Sequence, residues 1–490
     1  MVTEHLERET TYSATPELQL PDLTGIVPPG GRLDVAAHHL SSAYFDTSGR
    51  DLLVNRVTLR RRTGSTDTGW HLKLPASDDG TARHELGVPL TSGDEVPREL
   101  SDLVLGLRRG SPLVPLVTIT TERTTHRIVD ADGLLLVEIA DDTVSAVAPE
   151  AGGARVSGWR EIEAELGSAA PADLLRTIDA MLTRAGATES ASPSKVATAL
   201  GTPTRRRKLK KARTAGEVLR RYIAEQDADI LTGELAIRRG ENSIHHVRVA
   251  TRRLRSTLRI FARHLDADRA QSLDADLSWF ADLLGEVRDR DVQRSRFVES
   301  IAALPDEVVL GSVAEQIDAQ LSAEEEQHRA ALLDAMRGPR YLGMLQEVRL
   351  WATAPPVTKA AAGKPDVLAK DVRSAGKKVT KHLTAGIRSE SDEELHKARK
   401  AGKRARYAAE LAADVLGKKG VASVHRYKKL QDLLGEHQDA VVAAELLIRL
   451  ANAAPTEMPT FTYGVLHERE LARAAASVAR ARRWAKKHSR

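Results

Sequence analysis

The spacing of apolar residues changes once along this chain, near residue 200, and no other feature narrows the possible fold as much. Up to residue 165, apolar and polar side chains alternate every two residues, the period of a β-strand with one buried face. Turn signals interrupt the alternation at Gly64-Ser65, Asp78-Asp79-Gly80, Asp132-Gly133 and Gly152-Gly153. Strands are predicted over 58–62, 70–74, 83–90, 117–129, 134–139 and 159–166. Leu174, Leu175, Ile178, Met181 and Leu182 then recur at helical spacing, which predicts a helix over 172–185 ended by Gly186. From about residue 215 nearly every window has a helical period and is rich in Ala, Leu, Arg and Glu. The expected class is therefore multidomain: α+β first, all-α second.

Polar breaks set the expected boundaries. A first domain spans 1–200, GTPTRRRKLKKART at 201–214 is a basic linker, and a helical domain fills 215–490. ATAPPVTKAAAGKPD at 352–366 is a flexible break that divides the helical part into halves of about 215–351 and 367–490. The halves look like copies. His245-His246-Val247-Arg248 through Arg255 and His396-Lys397-Ala398-Arg399 through Arg406 both read H-x-x-R-x-x-x-[RK]-R-x-R, and Leu-Leu-Gly-Glu follows some forty residues later at 283–286 and 433–436. A two-part motif repeated at nearly equal internal spacing marks a duplication.

Charge divides the same way. Residues 1–200 carry 19 Lys and Arg against 29 Asp and Glu, a net −10, so the remainder carries +15 of the chain's total of +5. A basic half of that size favours a polyanionic partner. The chain has 490 residues and no cysteine, which excludes disulfides, thiolate-bound zinc, iron–sulfur clusters and a cysteine nucleophile. MVTEHLERETTYSATPELQL lacks a basic start followed by an apolar run, and nowhere do 18 apolar residues run together, so a soluble cytoplasmic protein without a membrane span is expected. There is no G-x-x-x-x-G-K-[ST] phosphate loop.

At about 100° per residue, His245, Arg248, Arg252, Arg255 and Arg259 fall within an arc of roughly 80° on one helix, with Val247, Ala250, Leu254 and Leu258 opposite. His396, Arg399, Lys403 and Arg406 repeat the stripe. Most charged helix faces are simply solvated, and they mix signs because like charges at i and i+4 cost a few tenths of a kcal/mol. Two stripes of one sign point instead to a bound anion. Aromatic residues make up only 3% of the chain, too few for the stacking platforms of single-stranded nucleic acid, so phosphate without bases fits better.

The strand half carries its own pattern. Glu7 and Glu9 share a face, as do Glu161, Glu163 and Glu165, with Ile162, Ala164 and Leu166 opposite. Arg60 with Arg62, Lys73, Arg83 with Glu85, and Arg123 with Arg127 obey the same period. An antiparallel sheet with a wet polar side would explain any single pair. Several such strands facing into a closed barrel would instead set carboxylates beside cations, which suits a divalent metal bridging phosphate oxygens.

Glu7-Arg8-Glu9-Thr10-Thr11-Tyr12, Tyr44-Phe45-Asp46-Thr47, Leu59-Arg60-Arg61-Arg62, Trp70-His71-Leu72-Lys73-Leu74-Pro75 and Trp159-Arg160-Glu161-Ile162-Glu163-Ala164-Glu165-Leu166 together resemble the CYTH family of triphosphate tunnel enzymes over residues 1–200. The helical half is similar to the CHAD family through its two repeated stretches. The resemblance implies an antiparallel β-barrel tunnel followed by two pseudo-symmetric helical bundles. It implies hydrolysis or cyclisation of triphosphates with Mg²⁺ or Mn²⁺ in the first half and binding of inorganic polyphosphate in the second. By motif, Glu7, Glu9, Glu161, Glu163 and Glu165 would hold metal, and Arg60, Arg62, Lys73, Arg123, Arg127 and Lys195 would grip phosphates. His245, Arg248, Arg252, Arg253, Arg255, Arg259, His396, Arg399, Lys403, Arg404 and Arg406 would line a polyphosphate groove. The family opening is Glu-x-Glu-x-Lys, and Thr11 stands here at its fifth position without the lysine's charge. No general base is identifiable. The expectation is a cytoplasmic, granule-associated polyphosphate binder whose tunnel is a metal-dependent triphosphatase. The alternative is a non-catalytic scaffold with a degenerate tunnel. Nucleic acid is the weaker partner, and no oligomeric state follows.

Overall fold

The computed structural model describes residues 3–64, 67–76, 82–90, 93–150, 152–171, 173–192, 194–201, 211–389, 391–454 and 459–488. Two compact units, Met1–Leu209 and Lys210–Arg490, divide the chain. Most of the expected basic linker, and the Ser65 and Asp78-Asp79-Gly80 turn signals, lie outside the described residues.

The first unit contains β1 (Thr3–Ala14), β2 (Arg32–Asp46), α1 (Asp51–Val54), β3 (Thr58–Thr63), β4 (Gly69–Pro75), β5 (Ala82–Val88), α2 (Arg98–Leu103), β6 (Val114–Val129), β7 (Leu135–Glu150), β8 (Gly153–Leu166), α3 (Leu174–Arg184), β9 (Thr188–Glu189) and α4 (Lys195–Ala199). The antiparallel order β5-β4-β3-β2-β6-β7-β8-β1 closes on itself because β1 also pairs with β5. Two registers make the closure: Glu7 lies opposite Arg83, and Glu9 lies opposite Glu165. Closure removes free strand edges, and the two-residue alternation then sorts side chains between lumen and outside. Tyr12, Ile162 and Ala164 face outward and are covered by Ile178 and Leu182 of α3. Each such buried aliphatic side chain contributes about 1.5–3 kcal/mol. Gly64 turns β3 into β4 at φ +99, where a Cβ would stand 2.0 Å from the His39 carbonyl oxygen.

The sheet exceeds the expected pattern. β1 and β2 add to the six predicted segments, and β7 continues eleven residues past the expected end at 139. The expected strand stops short of Asp141-Asp142, a pair of residues that strands disfavour, but Arg160 pairs with Asp141 at 2.7 Å and Asp142 is wholly buried in the lumen. Partners on neighbouring strands satisfy both carboxylates, so the strand runs on.

The second unit is helical: α5 (Ala215–Arg238), α6 (Ile244–Ile260), α7 (Ala267–Ala302), α8 (Val313–Ala335), α9 (Pro339–Thr353), α10 (Leu368–Ser389), α11 (Asp392–Leu411), α12 (Ala413–Leu416), α13 (Lys418–Ala453) and α14 (Phe461–His488). The repeat is visible in the elements. The motif helices α6 and α11 are each followed by a helix of 36 residues, α7 and α13. The two copies share a core in which Phe297, Val313, Ile317 and Leu321 meet Leu447, Leu450, Tyr463 and Leu466.

The expected flexible break at 352–366 is an ordered strap. Ala361 is buried, and the Ala215 amide donates to the Gly363 carbonyl at 2.9 Å. The Asp266 amide donates to Pro356 O and the Thr358 amide to His264 O, both at 2.9 Å. Its Pro and Gly residues stop a helix, yet the strap's backbone groups find partners on the first copy.

Candidate functional site

Within the barrel, the alternation on β1, β3, β4, β5, β6, β7 and β8 sends Glu7, Glu9, Thr11, Arg60, Lys73, Glu85, Arg123, Asp142, Glu161 and Glu163 toward one lumen. α4 adds Lys195 from outside the sheet. Ser194 caps this short helix by accepting the Ala197 amide at 3.3 Å, which sets Lys195 at its first position. The Lys195 ammonium sits among three carboxylates: Glu161 at 2.5 Å, Glu163 at 2.6 Å and Asp142 at 2.9 Å. Arg123 grips Asp142 and Glu163, each at 2.6 Å. Lys73 holds Glu7 at 2.6 Å and Glu85 at 3.6 Å, while His71 and Arg60 reach Glu85 at 2.9 and 3.3 Å. The Trp159 indole donates to Glu161 at 2.5 Å.

These groups perturb one another strongly. Burial, opposed by Lys73, pushes the Glu7 carboxyl up to about 9, and the hydrogen bond that its protonated form donates to Glu85 adds to the rise. Burial would raise Glu85 too, but the Lys73 ammonium and Arg60 guanidinium hold it far below the carboxylate range, so the proton of this pair resides on Glu7. Glu163 is likewise held low, against burial, by Lys195 and Arg123. Burial and the neighbouring Glu9 and Glu138 charges, against Lys73, push Glu165 up to about 7. Arg62 is lowered by burial and by Arg60 and Arg123, three guanidinium groups close enough to repel.

Among the described residues, two donor groups could hold a metal: Asp142 with Glu161 and Glu163, and His5 with Glu7 and Glu165, the donor atoms of each lying within 4.8 Å of one another. Three hard carboxylates suit an oxygen-preferring divalent cation. The five expected metal residues are thus split between two groups, and Glu9 joins neither; it faces Arg83 at 3.8 Å and Lys73 at 3.9 Å. Arg62 is buried against Asp67 at 2.8 Å. Arg127 does not enter the lumen cluster. Its half-exposed side chain pairs with Glu138 at 3.4 Å, because β6 has by then reached the barrel's end. Asp142, His71 and His5 were absent from the expected site, and Arg83 and Glu85 were expected on the lumen face without a metal or phosphate role. The lumen cavity is only about 30 Å³ and is lined by Thr11, Arg60, Lys73, Glu161, Glu163 and Lys195 among others. Ion pairs fill the space.

The helical unit holds a larger cleft of about 650 Å³ between α6, α7, α11 and α13. Its lining has ten Arg and Lys residues against three Asp: Arg248, Arg252, Arg255, Arg259, Arg288, Arg296, Arg399, Lys400, Lys403 and Arg404 face Asp282, Asp289 and Asp439. His245 and His396 complete each copy. The Leu-Leu-Gly-Glu signature explains part of the geometry. Gly285 and Gly435 leave room for Arg248 and Arg399 to lie across the long helices, with a Cβ on either glycine coming 3.6 or 4.0 Å from the guanidinium. Each arginine then reaches an aspartate four residues beyond its glycine, Asp289 at 2.8 Å and Asp439 at 3.4 Å.

Other cleft cations are partly balanced. Arg255 and Arg259 share Asp274 at 3.2 and 2.6 Å. Among the described residues, Arg252 and Lys403 make no ion pair. Burial, with Arg252, Arg399 and Arg248 nearby, pushes the Lys403 ammonium down to about 6; burial and Arg248 push Arg252 down to about 10. His245 is lowered by burial and by Arg288 and Arg248.

Two expected groove residues lie off the lining. Arg253 sits about 100° around α6 from Arg252 and is held by Glu410 at 3.3 Å, its guanidinium 5.9 Å from the Tyr407 ring. Arg406 pairs with Glu410 at 3.2 Å and stacks 4.9 Å from Tyr407. Arg288, Arg296 and Lys400 were not expected. The two arginines lie just beyond the Leu-Leu-Gly-Glu of α7, at positions where the second copy carries Gln438 and Leu446.

A stability consequence follows for Lys403. Between its lowered value near 6 and the ordinary 10.5, the unfolded chain binds this proton and the folded chain does not, so the cost to folding grows as pH falls and is complete below about 6. Lys403→Met is expected to raise the melting temperature of the ligand-free protein, most at and below pH 6 and only slightly near pH 10. Calorimetric scans across that range check it.

Comparison with known proteins agrees with this architecture. The CYTH domain family matches residues 33–200 and the CHAD domain family residues 221–448. The chain belongs to the CYTH–CHAD proteins. It is 35% identical over 493 residues to "Uncharacterized protein Rv2226" of Mycobacterium tuberculosis, covering 95% of this chain and 93% of that protein. Among solved structures, PptA from Streptomyces chartreusis matches with a TM-score of 0.48 and 22% identity over 56% of this chain and all of that one. The CHAD domain from the plant Ricinus communis matches with a TM-score of 0.47 and 24% identity, over 57% of this chain and 93% of that one. No helix among the described residues is long and apolar enough to cross a membrane.

Proposed function

We propose that this protein binds inorganic polyphosphate in the helical cleft and hydrolyses a triphosphate or a short polyphosphate in the tunnel with Mg²⁺ or Mn²⁺. The observation that carries the reading is the ten-to-three excess of cations in the cleft, where burial among arginines lowers Lys403 and a bound polyanion would favour its charged form. Such a chain replaces the missing counter-charges with phosphate oxygens, which accept charge-assisted bonds from several arginines at once. Association with polyphosphate granules in the cytoplasm follows from the same affinity.

In the tunnel, Asp142, Glu161 and Glu163 would hold the cation. A bound divalent ion would polarise a phosphoryl oxygen. Lys195, Arg60, Arg62 and Arg123 would neutralise the charge that develops on the transferred group. Lys73 and Lys195 keep two ammonium groups in the lumen although Thr11 contributes none. The barrel wall and α4 exclude bulk water, which strengthens each of these contacts.

The second reading, a scaffold whose tunnel does not turn over, is favoured by Thr11 and by the filled lumen. Orthophosphate release from tripolyphosphate with Mg²⁺ or Mn²⁺ separates the two, with Glu7→Ala and Glu161→Ala as controls. Metal-dependent turnover above both variants supports the hydrolase. Turnover equal to theirs leaves the scaffold.

A further inference from the structure

The cleft's positive charge does not stop at its lip. Arg259 lines the cleft near the end of α6, and one helical turn further on Arg263 reaches across to α10. Its guanidinium donates to the Val367 carbonyl at 2.9 Å and pairs with Asp371 at 2.9 Å; His264 takes the same carboxylate at 3.0 Å. Asp371 is the only acidic residue of α10, and it is spent on this link. Around it Lys370, Arg373, Lys377 and Lys381 fall within an arc of about 80°, with Lys378 beside them, over about 16 Å of helix. All five are exposed, and among the described residues none makes an ion pair.

We infer that the solvent-facing ridge of α10 is a second polyphosphate site, an extension along which a long chain continues after leaving the cleft. The inference rests on the proposed binding of polyphosphate in the cleft. Three features select this ligand. Like charges stacked at i, i+4 and i+8 repel unless an anion offsets them. Lysine dominates the ridge, and its compact, rotatable ammonium suits a phosphate chain with no fixed planar partner. α10 has no aromatic residue on which bases could stack, which disfavours single-stranded nucleic acid.

Tethering one end of a chain in the cleft raises the local concentration of the rest over the ridge, so the ridge acts only on chains long enough to span both. The test compares binding of polyphosphates of about 10 and about 100 phosphates by the full-length chain across a salt series. In Lys377→Glu/Lys378→Glu/Lys381→Glu, the affinity for the long chain is expected to fall about tenfold or more, with a shallower salt dependence, while the short chain binds as before. A neutral Lys→Gln triple at these exposed positions should show a smaller loss in the same direction, with circular dichroism reporting the intact helices. Unchanged long-chain affinity in the Glu triple overturns the inference. So does an equal loss for both lengths, or a loss confined to duplex DNA or phosphatidylserine vesicles. If Arg252→Glu/Lys403→Glu keeps full affinity for both lengths, the cleft reading itself fails, an outcome distinct from failure of the ridge.

Discussion

Arg252→Glu/Lys403→Glu lowers the affinity for long-chain polyphosphate by at least about a hundredfold, taking each charge-assisted phosphate contact at about 1.5–3 kcal/mol. These two positions stand out because they are half-buried, lie close enough across the repeat to repel, and make no ion pair among the described residues. Arg255 and Arg259, by contrast, already share Asp274, and a ligand must compete for them. The pH dependence is a sharper signature than the loss. In the free protein Lys403 is half-protonated near pH 6, and a bound polyanion raises that value, so binding takes up a proton at higher pH. Affinity therefore weakens as pH rises above 6, by at most about tenfold per unit, until the bound-state value is passed. Lys403→Arg keeps the charge through this range and flattens the slope. Calorimetric titration in buffers of different ionisation enthalpy counts the protons directly.

Glu161→Gln is expected to reduce metal-dependent release of orthophosphate by about a hundredfold or more, since it removes one of three carboxylates from the cation site and weakens the clamp on Lys195. A companion variant reads the same site without turnover. Lys195→Ala leaves Asp142, Glu161 and Glu163 facing each other around an empty centre, a loss of about 3–5 kcal/mol for a broken buried ion cluster. Adding Mn²⁺ should restore the melting temperature of this variant far more than it raises that of the unaltered protein, because the ion replaces the ammonium. A Lys195→Ala protein that melts identically with and without Mn²⁺ would sink the assignment of these carboxylates to a metal.

Much of this site was legible in strand period. Glu161 and Glu163 share a face because the β8 alternation is strict, and Ile162 and Ala164 lie on the other side under α3. Asp142 was not legible for the opposite reason. Its inward neighbours Ala140, Val144 and Ala146 are small or apolar, so one carboxylate on that face gives no pattern, and strands disfavour a doubled aspartate. In the helical half the repeated motif marked both cationic stripes, but a motif fixes residue types and not the angle at which a helix is presented. Arg404 faces the cleft where Arg253, at the matching place of the first copy, faces Glu410. Arg288 and Arg296 come from α7, a helix that the motif did not flag as cationic. They are visible only once α7 is laid across the cleft.

The common core that joins the two copies has a hereditary consequence. Phe297 and Leu321 of one copy lie against Leu447 and Leu466 of the other, so each completes its interior with residues its twin supplies. Either copy produced alone would carry an oily open flank where its twin's residues belong, so the doubled gene is the smallest piece that encodes a closed interior.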